Sequence, residues 1–132
     1  MNAIDTNVLV RYLVNDDERQ SALVAGLVER AVIQGREFFV SDIVVCETVW
    51  VLSFSYRIPR ADIAALLRDV FRARHLQFAA SDQLLRALEA YQAGNGDFAD
   101  YLIREHARHA GCSTVSTFDK ALLKEVGFAP VK

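Results

Sequence analysis

Cysteine is scarce in this chain, with only Cys46 and Cys112 among 132 residues. Neither has a C-x-x-C partner, which excludes a disulfide framework and a thioredoxin-like redox pair. Reduced thiols buried in apolar surroundings are the expectation for both. Proline (two) and glycine (six) are also few, and no low-complexity tract, disordered tail or internal repeat is present. No run of eighteen apolar residues occurs, so no membrane span is expected. The opening Met1-Asn2-Ala3-Ile4-Asp5 lacks a basic segment followed by a long apolar one. No secretory signal is therefore expected, and a cytoplasmic location is. A basic excess is missing too. Fifteen Lys and Arg stand against seventeen Asp and Glu, for a formal net charge of −2. That balance counts against a simple nucleic-acid binder. The objection weakens if several acids are gathered at one metal site, because the remaining surface is then closer to neutral.

What is present is an ordinary globular composition, 52% hydrophobic and 24% charged, enough for one domain over residues 1–132 with its own core. Asn2-Ala3-Ile4-Asp5 reads as a short buried strand ending in Asp5. A short helix follows from Val8 to Leu13. Asp17 with Gln20 marks a helix start, and Val24, Leu27, Val28, Ala31 and Val32 recur at helical spacing before Gly35. Phe38-Phe39-Val40 is a strand, and Ser41 or Asp42 opens a helix running to about Ser53. Pro59 suits the first turn of a helix whose apolar positions are Ile63, Leu66, Leu67, Val70 and Phe71. Leu76 to Ala79 alternates as a strand does, Ser81 caps the next helix, and Gly94-Asn95-Gly96 is a turn. Asp97 starts a helix ending at Gly111. Thr114-Val115 is a brief strand, Phe118–Val126 a last short helix, and Phe128-Ala129 a final strand. Short strands alternating with helices imply a three-layer α/β/α domain with a short, mostly parallel central sheet.

The chemistry-bearing residues are carboxylates. Asp5 follows the first strand, where open α/β sheets place their ligands, yet Asp is also a favoured helix cap. Glu47 lies in a helix with apolar residues nearly all round. It is expected to be buried, and a buried carboxylate requires a partner or a cation. The alternative is a narrow exposed stripe shared with Thr48 and Ser55. Asp97 and Asp100 fall three apart in the first turn of a helix, about 5–6 Å apart at Cβ. The same pair fits a capping box. Asp119 follows a strand, and Ser116-Thr117-Phe118-Asp119 also matches a capping pattern. In a parallel sheet these positions share one rim. Carboxylates gathered there would repel unless a divalent cation offsets them, and oxygen-only donors suit Mg²⁺ or Mn²⁺.

The same residues carry a resemblance to the PIN-domain ribonucleases, and within them to the toxins of bacterial VapBC-type toxin–antitoxin pairs. The matching pieces are Ile4-Asp5-Thr6-Asn7; Ser41-x5-Glu47 with Val49-Trp50-Val51-Leu52; Asp97-Phe98-Ala99-Asp100-Tyr101-Leu102-Ile103; and Ser116-Thr117-Phe118-Asp119. They occur in the family's order over nearly the whole chain. The resemblance implies a PIN-like fold and a Mg²⁺-dependent endoribonuclease toxin, with Mn²⁺ as the other candidate ion. Asp5, Glu47, Asp100 and Asp119 would be catalytic and metal-binding, Asp97 a fifth metal ligand, and Thr6, Asn7 and Thr117 polar support. It further implies an RNA substrate, a cognate antitoxin protein and a homodimer. Tyr101 departs from the pattern, standing where a small residue is commoner.

Two other function classes fit parts of the chain. An acid-cluster phosphohydrolase of the haloacid-dehalogenase kind wants a second acid two residues after Asp5, where Asn7 stands. A non-catalytic partner-binding module would use the acids as caps alone. His106, His109 and Cys112 recur every three residues, but His near a helix C-terminus is favourable without any metal. Arg57, Arg60, Arg68 and Arg72 form either an RNA-binding face or a solvated one salted with Asp62 and Asp69. Arg104 is expected to pair with Asp100 one turn earlier, and Trp50, Phe54 and Tyr56 are expected in the core.

Overall fold

The computed structural model describes all 132 residues, which fall into two compact units, 1–80 and 81–132. The first unit runs β1 (Asn2–Ala3), α1 (Thr6–Leu13), α2 (Glu18–Gln34), β2 (Phe38–Val40), α3 (Asp42–Phe54), α4 (Arg60–Arg72) and β3 (Leu76–Phe78). Its three strands pair in parallel with β2 in the middle, Asn2 opposite Phe38 and Phe38 opposite Leu76. Parallel neighbours cannot be joined by hairpins, so each link is a helical crossover. The expected three-layer α/β/α class is borne out, since every strand pairing is parallel and helices alternate with strands.

Helix starts follow the capping residues. Asp5, Asp17 and Ser41 accept from the backbone N–H of Val8, Gln20 and Val44 at 3.1, 3.0 and 3.3 Å. Each supplies a first-turn amide with an acceptor the helix itself cannot provide. The core of this unit is Leu9, Val10, Val24, Phe38, Val40, Val45, Val49, Leu52, Ile63, Leu67 and Val70, all buried. β1 is shorter and more exposed than expected. Both its residues are exposed, it pairs only with β2, and Asp5 lies beyond it as the cap of α1.

The faces of α3 also differ from expectation. Val45, Thr48, Val49 and Leu52 face inward, while Ile43, Glu47, Trp50 and Phe54 fall on the exposed side. Trp50 and Phe54 are 58% and 62% exposed, with ring centroids 5.1 Å apart. They are not core residues. A helix apolar on all sides gives no periodic signal for which side is covered, so the sequence pattern left this undecided. Tyr56 is half-buried in a polar knot instead. Its hydroxyl donates to Asp16 Oδ2 (2.7 Å) and accepts from Arg11 Nη1 (2.8 Å), while Arg11 Nε reaches Gln20 (2.7 Å). The knot fastens the α3–α4 connection to the start of α2, beside Arg57, whose φ of 53° is left-handed for a non-glycine residue. Burial, with Asp42 nearby, pushes the half-buried Cys46 thiol up to about 11, so it is protonated and inert at neutral pH. Cys112 is exposed rather than buried.

The second unit runs α5 (Ser81–Ala93), α6 (Phe98–His109), β4 (Val115–Thr117), a 3₁₀ turn (Leu122–Lys124) and β5 (Phe128–Pro130). β4 and β5 pair in parallel, Val115 opposite Phe128. Leu84, Ala87, Leu88, Tyr91, Phe98, Tyr101, Leu102 and Leu122 are buried here. The last helix expected over Phe118–Val126 contracts to the single 3₁₀ turn. Asp119 Oδ1 accepts from Ala121 N (2.9 Å) and Leu122 N (3.4 Å), so the turn begins only there, and by Glu125 the chain is extended again. Arg104 does not pair with Asp100. It donates to Glu105 (3.2 Å) and to the Val126 carbonyl (2.8 Å), with its guanidinium over the Tyr101 and Phe128 rings. Gly127, at φ 93°, lets the chain pass it; a Cβ there would lie 2.7 Å from Arg104 Cδ. Glu105, 3% exposed, also accepts from Arg108 at 2.9 Å.

The two faces of α3 give a direct test. In dilute solution, Leu52→Ala should lower the unfolding free energy by about 2–5 kcal/mol. Trp50→Ala should move it by no more than about 0.5 kcal/mol. Urea denaturation of both variants measures this, and equal losses would contradict the assignment of faces.

Candidate functional site

In the first unit the chain leaves β1, and Asp5 turns it into α1, so Thr6 opens the helix. The Thr6 hydroxyl donates to Glu47 Oε1 at 3.2 Å, across forty-one residues of sequence. Asp5, Thr6 and Glu47 are thereby brought into one neighbourhood. Glu47, in the second turn of α3, is exposed, not buried, so the desolvation expected of it is absent; its anchor is the single Thr6 hydroxyl. A cleft of about 350 Å³ runs alongside, lined by Asp5, Asn7, Arg11, Gln20, Leu23 and Leu27 among others. Asn7 faces this cleft rather than a hydrogen bond to the acids.

In the second unit the acids crowd at the start of α6. Asp97 is the N-cap, and its backbone N–H donates to Asp100 Oδ2 at 3.1 Å. Asp100 is half-buried, and its carboxyl is held above the ordinary carboxylate range. Desolvation is the largest cause, and the negative charges of Asp97, Asp119 and Glu125 push the same way. The Asp97 amide opposes them. Asp119 is fixed from both sides. Its N–H donates to Thr117 Oγ1 (3.0 Å), and its Oδ1 accepts from the turn that follows. Asp119 is thus a cap in its own right, not the third partner of a Ser116 capping box, and Thr117 is its support.

Glu125 is the acid that motif reading missed. It accepts from the Tyr101 hydroxyl at 2.7 Å, and that hydroxyl accepts from the Gly96 N–H at 2.9 Å. Tyr101, fully buried, therefore ties the turn before α6 to the segment after Asp119, which is the use of a large residue where a small one was expected. Gly94 makes room for it, since a Cβ there would collide with the Tyr101 hydroxyl. The glycine-rich turn and the misplaced tyrosine were the available signals.

No three His, Cys, Asp or Glu side chains stand preset in metal-ligand geometry, which includes His106, His109 and Cys112, all exposed. The donor chemistry nonetheless fits a hard divalent ion. The candidates offer only oxygen, and Asp100 sits among like charges in a partly desolvated place where a cation would be stabilising. The arginines weighed as an RNA-binding face lie at and beside α4. Arg57 and Arg72 are exposed, Arg60 and Arg68 half-buried, with Asp62 and Asp69 exposed among them.

Open parallel α/β sheets bind their ligands outside the carboxyl ends of the strands, and Asp5 and Asp119 follow β1 and β4 there. The family model of the PIN domain matches residues 3–129, and the chain belongs to that family. It is also similar to the VapC ribonuclease of Aquifex aeolicus (strain VF5), 25% identical over 131 residues, covering 99% of this chain and 96% of that protein.

The raised Asp100 carboxyl makes a signed prediction. Between its ordinary and its raised value the folded state binds more protons than the unfolded one, so stability falls as pH rises through that window. Asp100→Asn should therefore raise the melting temperature by a few degrees at neutral pH, with the gain vanishing below the ordinary carboxylate range. Thermal melts across pH check this; a lower melting point at neutral pH would refute it.

Proposed function

We propose that this protein is a metal-dependent endoribonuclease toxin, neutralised by a cognate antitoxin protein. Asp5, Glu47, Asp100 and Asp119 are its catalytic acids, Asp97 is a further metal ligand, and Thr6, Asn7 and Thr117 support them. The observation carrying this reading is the crowding of Asp97, Asp119 and Glu125 on a half-buried Asp100 in a chain of the PIN family. The likeness to a VapC ribonuclease supports RNA as substrate and an antitoxin as partner.

Mg²⁺ or Mn²⁺, when bound, would polarise the scissile phosphate and make water a stronger nucleophile near neutral pH. The chain's own contribution is to hold oxygen donors. Asp5 Oδ1 and Asp119 Oδ1 are occupied by backbone amides, which leaves each carboxylate oriented with its second oxygen for a ligand. Thr6 orients Glu47. Water attack on phosphorus, with the ribose 3′-oxygen leaving, yields a 5′-phosphate and a 3′-hydroxyl and uses no 2′-hydroxyl nucleophile. Arg57 and Arg72 suit phosphate contacts, with Arg60 and Arg68 behind them. The cleft beside Asp5, with Leu23 and Leu27 on its wall and Arg11 at its side, supports a docking place for an antitoxin segment. The exposed Ile43, Trp50 and Phe54 on α3 support a homodimer.

One specific observation favours the partner-binding alternative. Asp5 and Asp119 are genuine caps, and Asp97 with Asp100 serves a helix start. Glu47 caps nothing, so it separates the readings. On the nuclease reading, purified Asp5→Ala, Asp100→Asn and Glu47→Gln should each remain folded by circular dichroism. Each should lose at least about 100-fold of Mg²⁺-dependent cleavage of cellular RNA, about 2.7 kcal/mol. Full activity in Asp5→Ala or Asp100→Asn, checked against a contamination control, would sink the proposal, and unimpaired toxicity of Glu47→Gln would favour the scaffold.

A further inference from the structure

Phe118 is the most exposed large apolar side chain of the protein, at 84%. It sits immediately before Asp119, yet it does not lie on a loose loop. The Thr117 hydroxyl on one side takes the Asp119 N–H, and the Asp119 carboxylate on the other takes the amides of Ala121 and Leu122. The backbone around Phe118 is thus fastened by two side-chain-to-backbone turns while its ring is left in solvent. A scattered surface aromatic requires no explanation. One presented on a fastened turn next to a candidate catalytic acid, with an exposed lysine two residues on, does.

Every lysine of the chain lies in this segment. The chain has three lysines, Lys120, Lys124 and Lys132, and all lie after Phe118. Lys120 and Lys124 are exposed, and the Glu125 carboxylate that would offset them is drawn to the buried Tyr101 hydroxyl. In a protein with net charge −2, this sets an exposed aromatic ring and two exposed ammonium groups within seven residues of chain that also carry Asp119. An aromatic ring with flanking cations is the chemistry that holds unpaired nucleotides, the ring stacking on a base and the cations meeting phosphates. A protein partner would be served by apolar area without the lysines.

We propose that Phe118 stacks on an unpaired base of the RNA substrate next to the cleaved phosphodiester, with Lys120 and Lys124 on neighbouring phosphates. This rests on the nuclease reading, and Phe118 is a substrate-binding residue within it.

The test uses the full chain and a single-stranded RNA carrying 2-aminopurine, whose fluorescence is quenched by stacking. Binding is measured with Ca²⁺ in place of Mg²⁺, and cleavage with Mg²⁺. Phe118→Ala should weaken binding about 10-fold, abolish the quench at one position, and raise KM more than it lowers kcat. Phe118→Trp should restore all three, while Phe118→Leu, apolar but unable to stack, should behave as alanine does. Replacing Lys120 and Lys124 by Ala should reduce the salt dependence of log K by about 0.7 for each lysine. Wild-type affinity, quench and KM in Phe118→Ala overturn the inference and leave the nuclease reading intact. So does equal binding of duplex and single strand. A Phe118-dependent quench without cleavage under Mg²⁺ or Mn²⁺ upholds the stacking and removes the nuclease reading. A wild-type protein that neither binds nor cleaves RNA removes both.

Discussion

The repulsion around Asp100 is the constraint on which the second unit turns. At the start of α6, Asp97, Asp119 and Glu125 set negative charge against a partly desolvated Asp100, and the fold fixes these acids locally. It does so with amides and one hydroxyl. The Asp97 N–H serves Asp100, two turn amides serve Asp119, and the Tyr101 hydroxyl serves Glu125. The N-terminal end of α6 adds its positive partial charge to the same place. Desolvation is the largest cause of the raised Asp100 carboxyl, and perturbed acids of this kind cluster at sites that bind or react.

Around this centre the unit is fastened by contacts of long sequence range. Tyr101 connects the Gly94-Asn95-Gly96 turn to Glu125, and Arg104 connects α6 to the Val126 carbonyl while packing on Phe128. Both hold the segment after Asp119 against α6, so the spacing between Asp100 and Asp119 is set by buried side chains rather than by loop residues. That suits a binding constellation, where small displacements of donors cost affinity and rate. The first unit solves a simpler problem. Asp5 and Glu47 carry no comparable crowding, and a cap and one threonine hydroxyl suffice to orient them. Its fastening comes from elsewhere, from the Arg11–Tyr56–Asp16 knot and a largely aliphatic core.

Much of this was legible in the residues. Asp5, Asp17, Ser41 and Asp97 cap helices where their side chains and spacing said they should, because capping is a local matter of one oxygen and a few amides. The alternation of short apolar runs with amphipathic helices carried the parallel α/β class. The ordered motifs around Asp5, Glu47, Asp100 and Asp119 carried the family. The errors have a common origin. Trp50, Phe54 and Glu47 were misplaced because α3 is apolar on every side and its pattern contains no preferred face. The helix expected over Phe118–Val126 failed because Asp119 caps late and Glu125 is pulled into an extended conformation by Tyr101.

The sequence by itself determined which acids this protein carries, where its helices begin, and the family it belongs to, since each cap depends on residues within a turn of it and each family motif is a short run whose order is read along the chain. Only the tertiary structure decided that Asp100 is desolvated among like charges, that Glu125 joins it, and that Glu47 is exposed on Thr6. It alone showed that Phe118 stands in solvent. Burial and electrostatic coupling are set by residues dozens of positions apart, and no local pattern encodes which of them come to face each other.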